Sequence, residues 1–477
     1  MTPRFTVQGF EFFSHPTRTR FPFRYGIASM TEVPHLFARV RLQMDGREVI
    51  GLASEGLPPK WFTKNPATTF EQDLPEMLAV IGHAARLAVE IGAQPVTFFE
   101  FWRELSRQQN LWAETKSIAP LLANLGVSLI ERAALDAVCR ALAKPLAAVV
   151  RENLLGLNLG EIYAELSGGS PDNFLPGTPL ATIQIRHTVG LTDPITAADI
   201  PANELVSDGL PQDLESCIRS YGLRAFKIKL SGKADHDLAR LRALSDVISR
   251  ETAGDFLTTV DGNENFKSFA EFRDFWAQLR GEPALKEFLS KVAVVEQPVH
   301  RDHALSENAR EVLHAWPDRP LLIIDESEAA LGDLPRALSL GYDGTSHKNC
   351  KGIVKGLANA CLLEHRRRHD RRGVLTGEDL ANLGPVALLP DLAVMALLGI
   401  AHAERNGHHY FRGLTLWPDA WQQATLAAHG DLYRKHEQGF VTLRIEDGLL
   451  DLTSVNQSPF GLQPLFDPES FAARLQP

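Results

Sequence analysis

From about Leu180 to Leu414, short β-rich runs alternate with longer helical runs. No other feature of the chain narrows its fold as far. The runs that read as strands are 181–189, 223–230, 256–261, 292–296, 320–325, 343–348, 373–376 and 408–412. Amphipathic helical stretches lie between most of them, for instance Asp235–Arg250, Phe269–Leu279 and Lys351–Arg366. Strict βα alternation over about 235 residues predicts a parallel barrel, with an open doubly wound sheet as the second reading. Both architectures place their chemistry at the C-terminal ends of the strands.

The flanking segments follow other patterns. Residues 4–13 and 36–44 alternate apolar and polar side chains as strands do, and Asp45-Gly46 is a hairpin signal. Between them RTRFPFRYGIAS reads as a loop, and EGLPPKWFTKN reads as a second loop. From about Phe70 to Val150 the period is helical, with Ile130, Ala134, Leu135 and Val138 on one face. Residues 151–180, rich in Gly, Asn, Ser and Pro, read as a linker or insertion. The tail segment FVTLRIEDGLLDLTS is a strand, a turn at Asp447-Gly448 and another strand. Such a meander cannot extend a parallel barrel without a crossover helix, so residues 440–452 are expected to pair with the N-terminal strands. The expected organisation is an α+β cap over 1–165, a barrel over 166–415, and a C-terminal segment, 416–477, that returns to the cap.

A chain of 477 residues has room for two or more domains. Its formal net charge of -10 argues against a nucleic-acid partner. The basic run His365 to Arg372 follows a helical stretch and reads as a solvated helix end. Cys139, Cys217, Cys350 and Cys361 are scattered without a CxxC pair, which gives no zinc signature and no disulfide framework and fits a reducing cytoplasm. The start, MTPRFTVQGFEFF, lacks a signal pattern. The stretch Val386 to Ile400 contains Pro390 and Asp391 and is too short for a bilayer, so no membrane partner is expected.

The chemistry gathers at strand ends. In 223–230 the apolar Phe226, Ile228 and Leu230 alternate with Lys227 and Lys229, which share one face. Taken alone, this reads equally as an edge strand with two solvated lysines or as a core strand whose lysines meet negative charge or act deprotonated. The next strands end LTTVDGNENF, VAVVEQP and LLIIDES, leaving Asp261, Glu296 and Asp325 at three consecutive tips. Each acid alone reads as a helix cap or turn residue. Three acids in register, converging at a barrel mouth, cannot all stay ionised without a cation. An all-oxygen site with room for water and substrate suits Mg²⁺, with Mn²⁺ as the alternative. The sixth strand, YDGTSHKNCKGI, ends in Lys348, with Lys351 three residues on. Lysines would then flank the metal site from both sides. A carboxylate substrate held there would have its α-proton between two bases, and clustered cations are expected to lower the lysine pKa values.

Lys-x-Lys, Asp-x-Asn, Glu-Gln-Pro, Asp-Glu-Ser and Lys-x-x-Lys, in that order, resemble the enolase superfamily. The similarity is greatest to its muconate-lactonizing-enzyme and mandelate-racemase group. The resemblance implies a modified TIM barrel, (β/α)₇β, beneath an α+β capping domain, and Mg²⁺-dependent abstraction of the proton α to a carboxylate. It implies Asp261, Glu296 and Asp325 as ligands, Lys229 and Lys348 as bases on the two faces, and Lys227 as the partner of the substrate carboxylate. Racemisation, epimerisation or cycloisomerisation is the expected outcome. The other readings are dehydration by a lyase of the same fold and a non-catalytic metabolite-binding scaffold. The partner is expected to be a small carboxylate, and the assembly a homo-oligomer.

The seventh strand departs from the racemase pattern. It carries no histidine; Glu378 and Asp379 stand there, either to touch substrate or to cap the next helix. The loops Arg18–Ser29 and Glu55–Asn65 resemble that group's lids, with Lys60, Trp61, Phe21 and Phe23 as side chains facing substrate or pinning the cap. His187, at the end of the first barrel strand, is a further substrate-binding candidate. His408 and His409 read as structural, and Cys350 as inert.

Overall fold

The computed structural model describes residues 2–25 and 28–477. Three long strands open the chain: β1 (Phe5–Tyr25), β2 (Ala28–Met44) and β3 (Arg47–Gly56), paired as an antiparallel meander. The β2–β3 turn is Asp45-Gly46, both at positive φ (51° and 74°), as a tight two-residue hairpin requires. Helices Phe70–Ile91, Phe98–Thr115 and Pro120–Leu142 cover one face of this sheet. The second of them begins with a reciprocal cap between Thr97 and Glu100, typically worth about 1 kcal/mol. Gly51 lets β3 approach Pro120–Leu142 closely, since a Cβ there would meet the Ala133 carbonyl oxygen at 2.1 Å.

Eight parallel strands follow: β4 (Thr182–Val189), β5 (Ala225–Lys229), β6 (Leu257–Asp261), β7 (Val292–Glu296), β8 (Leu322–Ile324), β9 (Gly344–His347), β10 (Val374–Gly377) and β11 (His402–Glu404). They neighbour one another in chain order, and β11 pairs with β4 to close the barrel. The architecture is an α/β barrel with a capping domain, as the alternation and the resemblance imply. Seven strands lie where the sequence places them. The eighth does not: it is His402–Glu404, while Gly407–Tyr410 is a short helix. Three residues are too few to show alternation, and the aromatic run beside them has the stronger β propensity.

The tail corrects a second expectation. After the small hairpin β12 (Tyr433–Lys435) and β13 (Val441–Leu443), strand β14 (Leu449–Asp451) pairs antiparallel with β4 of the barrel, not with the N-terminal sheet. The first residues of β4 precede the start of its β5 pairing, leaving backbone groups that an antiparallel strand can take without a crossover. Of the tail strands among the described residues only the last, β15 (Ala473–Leu475), pairs with the cap, at Phe12–Ser14 of β1, while Trp417 and Trp421 of the tail pack on Phe37 of β2. Phe466 and Phe471 pack with Trp421 on the way there.

The first presumed lid loop is also strand. β1 and β2 continue as a hairpin to Tyr25 and Ala28, with Phe23 opposite Met30. Gly26 and Ile27, part of that presumed loop, lie outside the described residues. The register jumps between Arg18 and Phe23, so residues 19–22 bulge out of the ladder. The basic run is a helix end as expected, with Arg367 and Arg368 on Glu364. Among the described residues the four cysteines are free and buried, and no helix is long and apolar enough to cross a membrane.

Candidate active site

The mouth of the barrel is a cavity bordered by Phe23, Arg24 and Met30 of the β1–β2 hairpin and by Pro58, Lys60, Trp61 and Lys64. Strand alternation decides which side chains enter it. On β4, Arg186 and Thr188 point inward: Arg186 donates to Glu378 at 3.1 Å and the Thr188 hydroxyl donates to Glu404. His187 therefore points outward, and it lies among the rings of His408 and His409, away from the cavity. It does not join the other sequence-predicted site residues.

Lys227 sits at the centre. Its ammonium lies 2.8 Å from Glu378, 2.9 Å from Glu296, 3.0 Å from Glu404 and 3.1 Å from Asp261. Lys229, next on the same face, contacts Asp261 at 2.5 Å and Asn263 at 2.9 Å. Lys348, after β9, contacts Glu378 at 2.6 Å and Asp325 at 2.7 Å. Lys351 donates to Asp325 from behind, at 2.8 Å to the carboxylate and 2.9 Å to its backbone carbonyl.

Burial alone would push these lysines down. The carboxylates outweigh it, and hold Lys227 and Lys348 well above the usual value and Lys229 above it. The expectation of lowered lysine pKa values is thus reversed in this state, because carboxylates surround each ammonium. The acids split. Burial and the nearby Glu378 push Glu296 well above the ordinary carboxylate range. Glu378 is as deeply buried, yet Lys227 and Lys348 hold it well below.

Glu296, Asp325 and Glu378 bring carboxylate oxygens within 4.8 Å of one another, all buried. An all-oxygen, carboxylate-rich donor set with one member driven towards protonation fits a hard divalent cation. Asp261, expected in the ligand set, stands beside this group, bridged to Glu296 through Lys227. Its other oxygen accepts from the Asn263 amide at 2.6 Å. Glu378 enters the barrel, while the adjacent Asp379 accepts from the Ala381 and Asn382 amides and caps the turn. Of the two roles that the sequence left open for this pair, the capping one falls to Asp379.

Trp61 covers Lys348, whose ammonium lies 5.0 Å from the ring centre. Lys60 borders the cavity, but its ammonium is taken up by Asp73 at 2.6 Å, the Thr68 carbonyl at 2.6 Å and the Asn65 carbonyl at 2.7 Å. The roof is pinned at two places. The bulge in β1 delivers Arg20 to Asp208 in a two-pronged pair, with further bonds to the carbonyls of Leu210, Pro211 and His409. Arg301 bridges Glu264 to the carbonyls of Trp61 and Phe62.

No family sequence model matches the chain, and no curated protein matches it by sequence. Solved structures do match. A mandelate racemase/muconate lactonizing protein from Herpetosiphon aurantiacus aligns over 96% of this chain and 98% of its own, with TM-score 0.59 and 18% identity. An N-succinyl Arg/Lys racemase from Bacillus cereus aligns over 98% and 100%, with TM-score 0.61 and 15% identity. The fold is that of the mandelate racemase/muconate lactonizing proteins. An enolase from Bradyrhizobium, complexed with magnesium and mandelic acid, shares it over 97% of this chain and 96% of its own, with TM-score 0.54 and 15% identity.

Within this mandelate racemase/muconate lactonizing fold, Glu404 and Arg186 are among the residues around the acids that the sequence did not single out. Glu404 escaped because the eighth strand was placed six residues late. Arg186 carried a signal that went unused: Gln184, Arg186 and Thr188 alternate with apolar Ile183 and Ile185, as Lys227 and Lys229 do with their neighbours.

Proposed function

We propose that the protein abstracts the proton α to the carboxylate of a small-molecule substrate, as a racemase, epimerase or cycloisomerase. The observation that carries this reading is the placement of Lys229 and Lys348. In the closed strand order, three strands separate β5 from β9 in either direction, so their ends face each other across the barrel. Both lysines line the same cavity, with the carboxylate group between them.

Glu296, Asp325 and Glu378 would hold Mg²⁺, with Asp261 beside them. A divalent cation there would supply Lewis-acid stabilisation for the negative charge that builds on the substrate carboxylate as its α-proton leaves. Lys227 holds the four acids in place and offers positive charge to that carboxylate. Lys229 and Lys348 become bases only when Asp261, Asp325 and Glu378 find other cationic partners and release them.

One asymmetry supports a second reading. The Lys229 side chain is 18% exposed and that of Lys348 4%, with Trp61 laid over it. A chain that uses only Lys229 as base, with Lys348 stabilising charge, would serve cycloisomerisation or lyase chemistry. Proton exchange in deuterated water, screened over acid sugars, dipeptides and N-acyl amino acids with Mg²⁺, tests both. Stereochemical inversion accompanied by solvent deuterium supports two bases. Exchange with retention supports one. No exchange on any class, with Mg²⁺ bound, would count against proton abstraction altogether.

A further inference from the structure

Outside the barrel mouth, on the outer side of β4, a second group of ligating side chains is buried. His187 comes from β4, Cys217 from the helix Leu214–Tyr221, and His409 from the short helix after β11. One donor atom from each lies within 4.8 Å of the others. The Cys217 sulfur is 3.6 Å from His409 Nδ1, and the His187 and His409 ring centres are 5.0 Å apart. Residue exposures are 3%, 0% and 3%, so no solvent competes for the donors. His187 Nδ1 has no hydrogen-bond partner among the described residues, and neither has either nitrogen of the adjoining His408. Buried polar atoms without partners are uncommon in native proteins and point to a missing ion or water.

We propose that His187, Cys217 and His409 form a second metal site, selective for Zn²⁺ rather than Mg²⁺. Two imidazoles and one thiolate are nitrogen and sulfur donors, which a borderline-soft ion prefers and a hard one does not. A neutral imidazole and a thiolate are the donating forms, so binding forms the Zn–S bond and breaks the S–H bond of Cys217, releasing one proton to solvent. Arg20 is the nearby cation, and its guanidinium is committed to Asp208 and three backbone carbonyls.

The site joins three elements that lie far apart in sequence. β4 and the residues after β11 meet at the seam where the barrel closes, and the helix Leu214–Tyr221 covers that seam. The His409 ring also packs on Phe21 of the β1 bulge, centres 4.9 Å apart. A metal here would fasten the seam and the root of the roofing hairpin together.

The test measures bound zinc on the full chain, stripped with a chelator and reloaded with Zn²⁺. A Glu296→Gln/Asp325→Asn variant, with the mouth site disabled, should keep one tightly bound equivalent. Cys217→Ser and His409→Asn should each weaken that equivalent by more than about 100-fold, beyond the effect of losing an outer-shell partner. Equal zinc affinity in Cys217→Ser and wild type, or no zinc on the reloaded wild type, would overturn the proposal. Co²⁺ loading of the wild-type chain gives an answer that does not depend on a variant folding. A thiolate-to-cobalt charge-transfer band is expected, and its absence at saturation would also overturn the proposal. Neither readout depends on catalytic activity.

Discussion

Replacing Lys227 by methionine keeps an unbranched stem of similar length and removes one positive charge from among four carboxylates. Breaking a buried ion pair from one side costs about 3–5 kcal/mol, because the charge left behind is buried and unpaired. The Lys227→Met chain should therefore melt well below wild type in a chelator, and Mg²⁺ should restore more stability to it than to wild type. A melting temperature indifferent to the substitution would show that the acids are already protonated. The two outer lysines make a chemical prediction. Lys348→Ala should still exchange deuterium into the isomer whose proton faces Lys229, Lys229→Ala should do the reverse, and interconversion should fall by on the order of 10²–10⁴-fold in each. A Lys348→Ala enzyme with wild-type turnover would leave Lys229 as the single base. At this scale the sequence was legible where a largely apolar strand ended in a charge, as at Lys229, Asp261, Glu296 and Asp325, while Lys348 follows the polar strand Gly-Thr-Ser-His and was marked by its spacing from Lys351. Glu404 has only His402 and Ala403 before it in its strand, too little context to mark it.

Among the elements, the joint between cap and barrel depends on Glu131. It lies on the helix Pro120–Leu142, and its two oxygens accept from the amides of Ile353 and Val354 at the start of Ile353–Arg367. Burial outweighs these two bonds and pushes its carboxyl up to about 7. The folded chain therefore holds a proton on Glu131 that the unfolded chain has released above about 4.5. This group favours folding below about pH 4.5 and loses that contribution as pH rises from there to about 7, on the order of 3 kcal/mol in all. Melting curves of wild type and Glu131→Gln should diverge between pH 5 and about 7, with wild type losing more as pH rises, and the gap should hold constant from there to pH 8. Parallel curves would mean that the carboxylate is ionised throughout. Nothing in the helical period of this segment marks Glu131, since a glutamate on a helix ordinarily reads as solvated. The strand conformation of the roofing segment, expected as a lid loop, was missed for a related reason. Proline, glycine and arginine signal a loop, whereas the arginines here anchor a ribbon to the barrel.

At the scale of the whole molecule, the chain crosses between cap and barrel more often than its composition suggests. The alternation made the barrel readable, because every strand is followed by its own helix. The tail was harder, since β14 and β15 each pair singly with a strand distant in sequence, β4 and β1. A chain ending after Leu465 would lose β15, Phe466 and Phe471, and with them the packing around Trp421. Loss of one buried aromatic side chain commonly costs about 3–5 kcal/mol. The shortened chain should melt earlier, with hydrogen exchange rising first in β1. Unchanged protection of Phe12 and Phe13 would show that the closing strand adds nothing to the cap.

The roofing hairpin has a consequence for how such a chain can change its substrate. Phe23 and Met30 face each other across a ladder whose period is two. Adding two residues to each strand beyond the bulge would lengthen the ribbon by about 7 Å and keep Phe23 and Met30 on the same face, whereas inserting a single residue on one side would turn the side chains beyond it over. Pocket size is therefore inherited in steps. Descendants of this sequence would gain or lose room for substrate through paired insertions and deletions near residue 26, while Arg20 and its carbonyl partners, set below the tip, hold the ribbon at the same root.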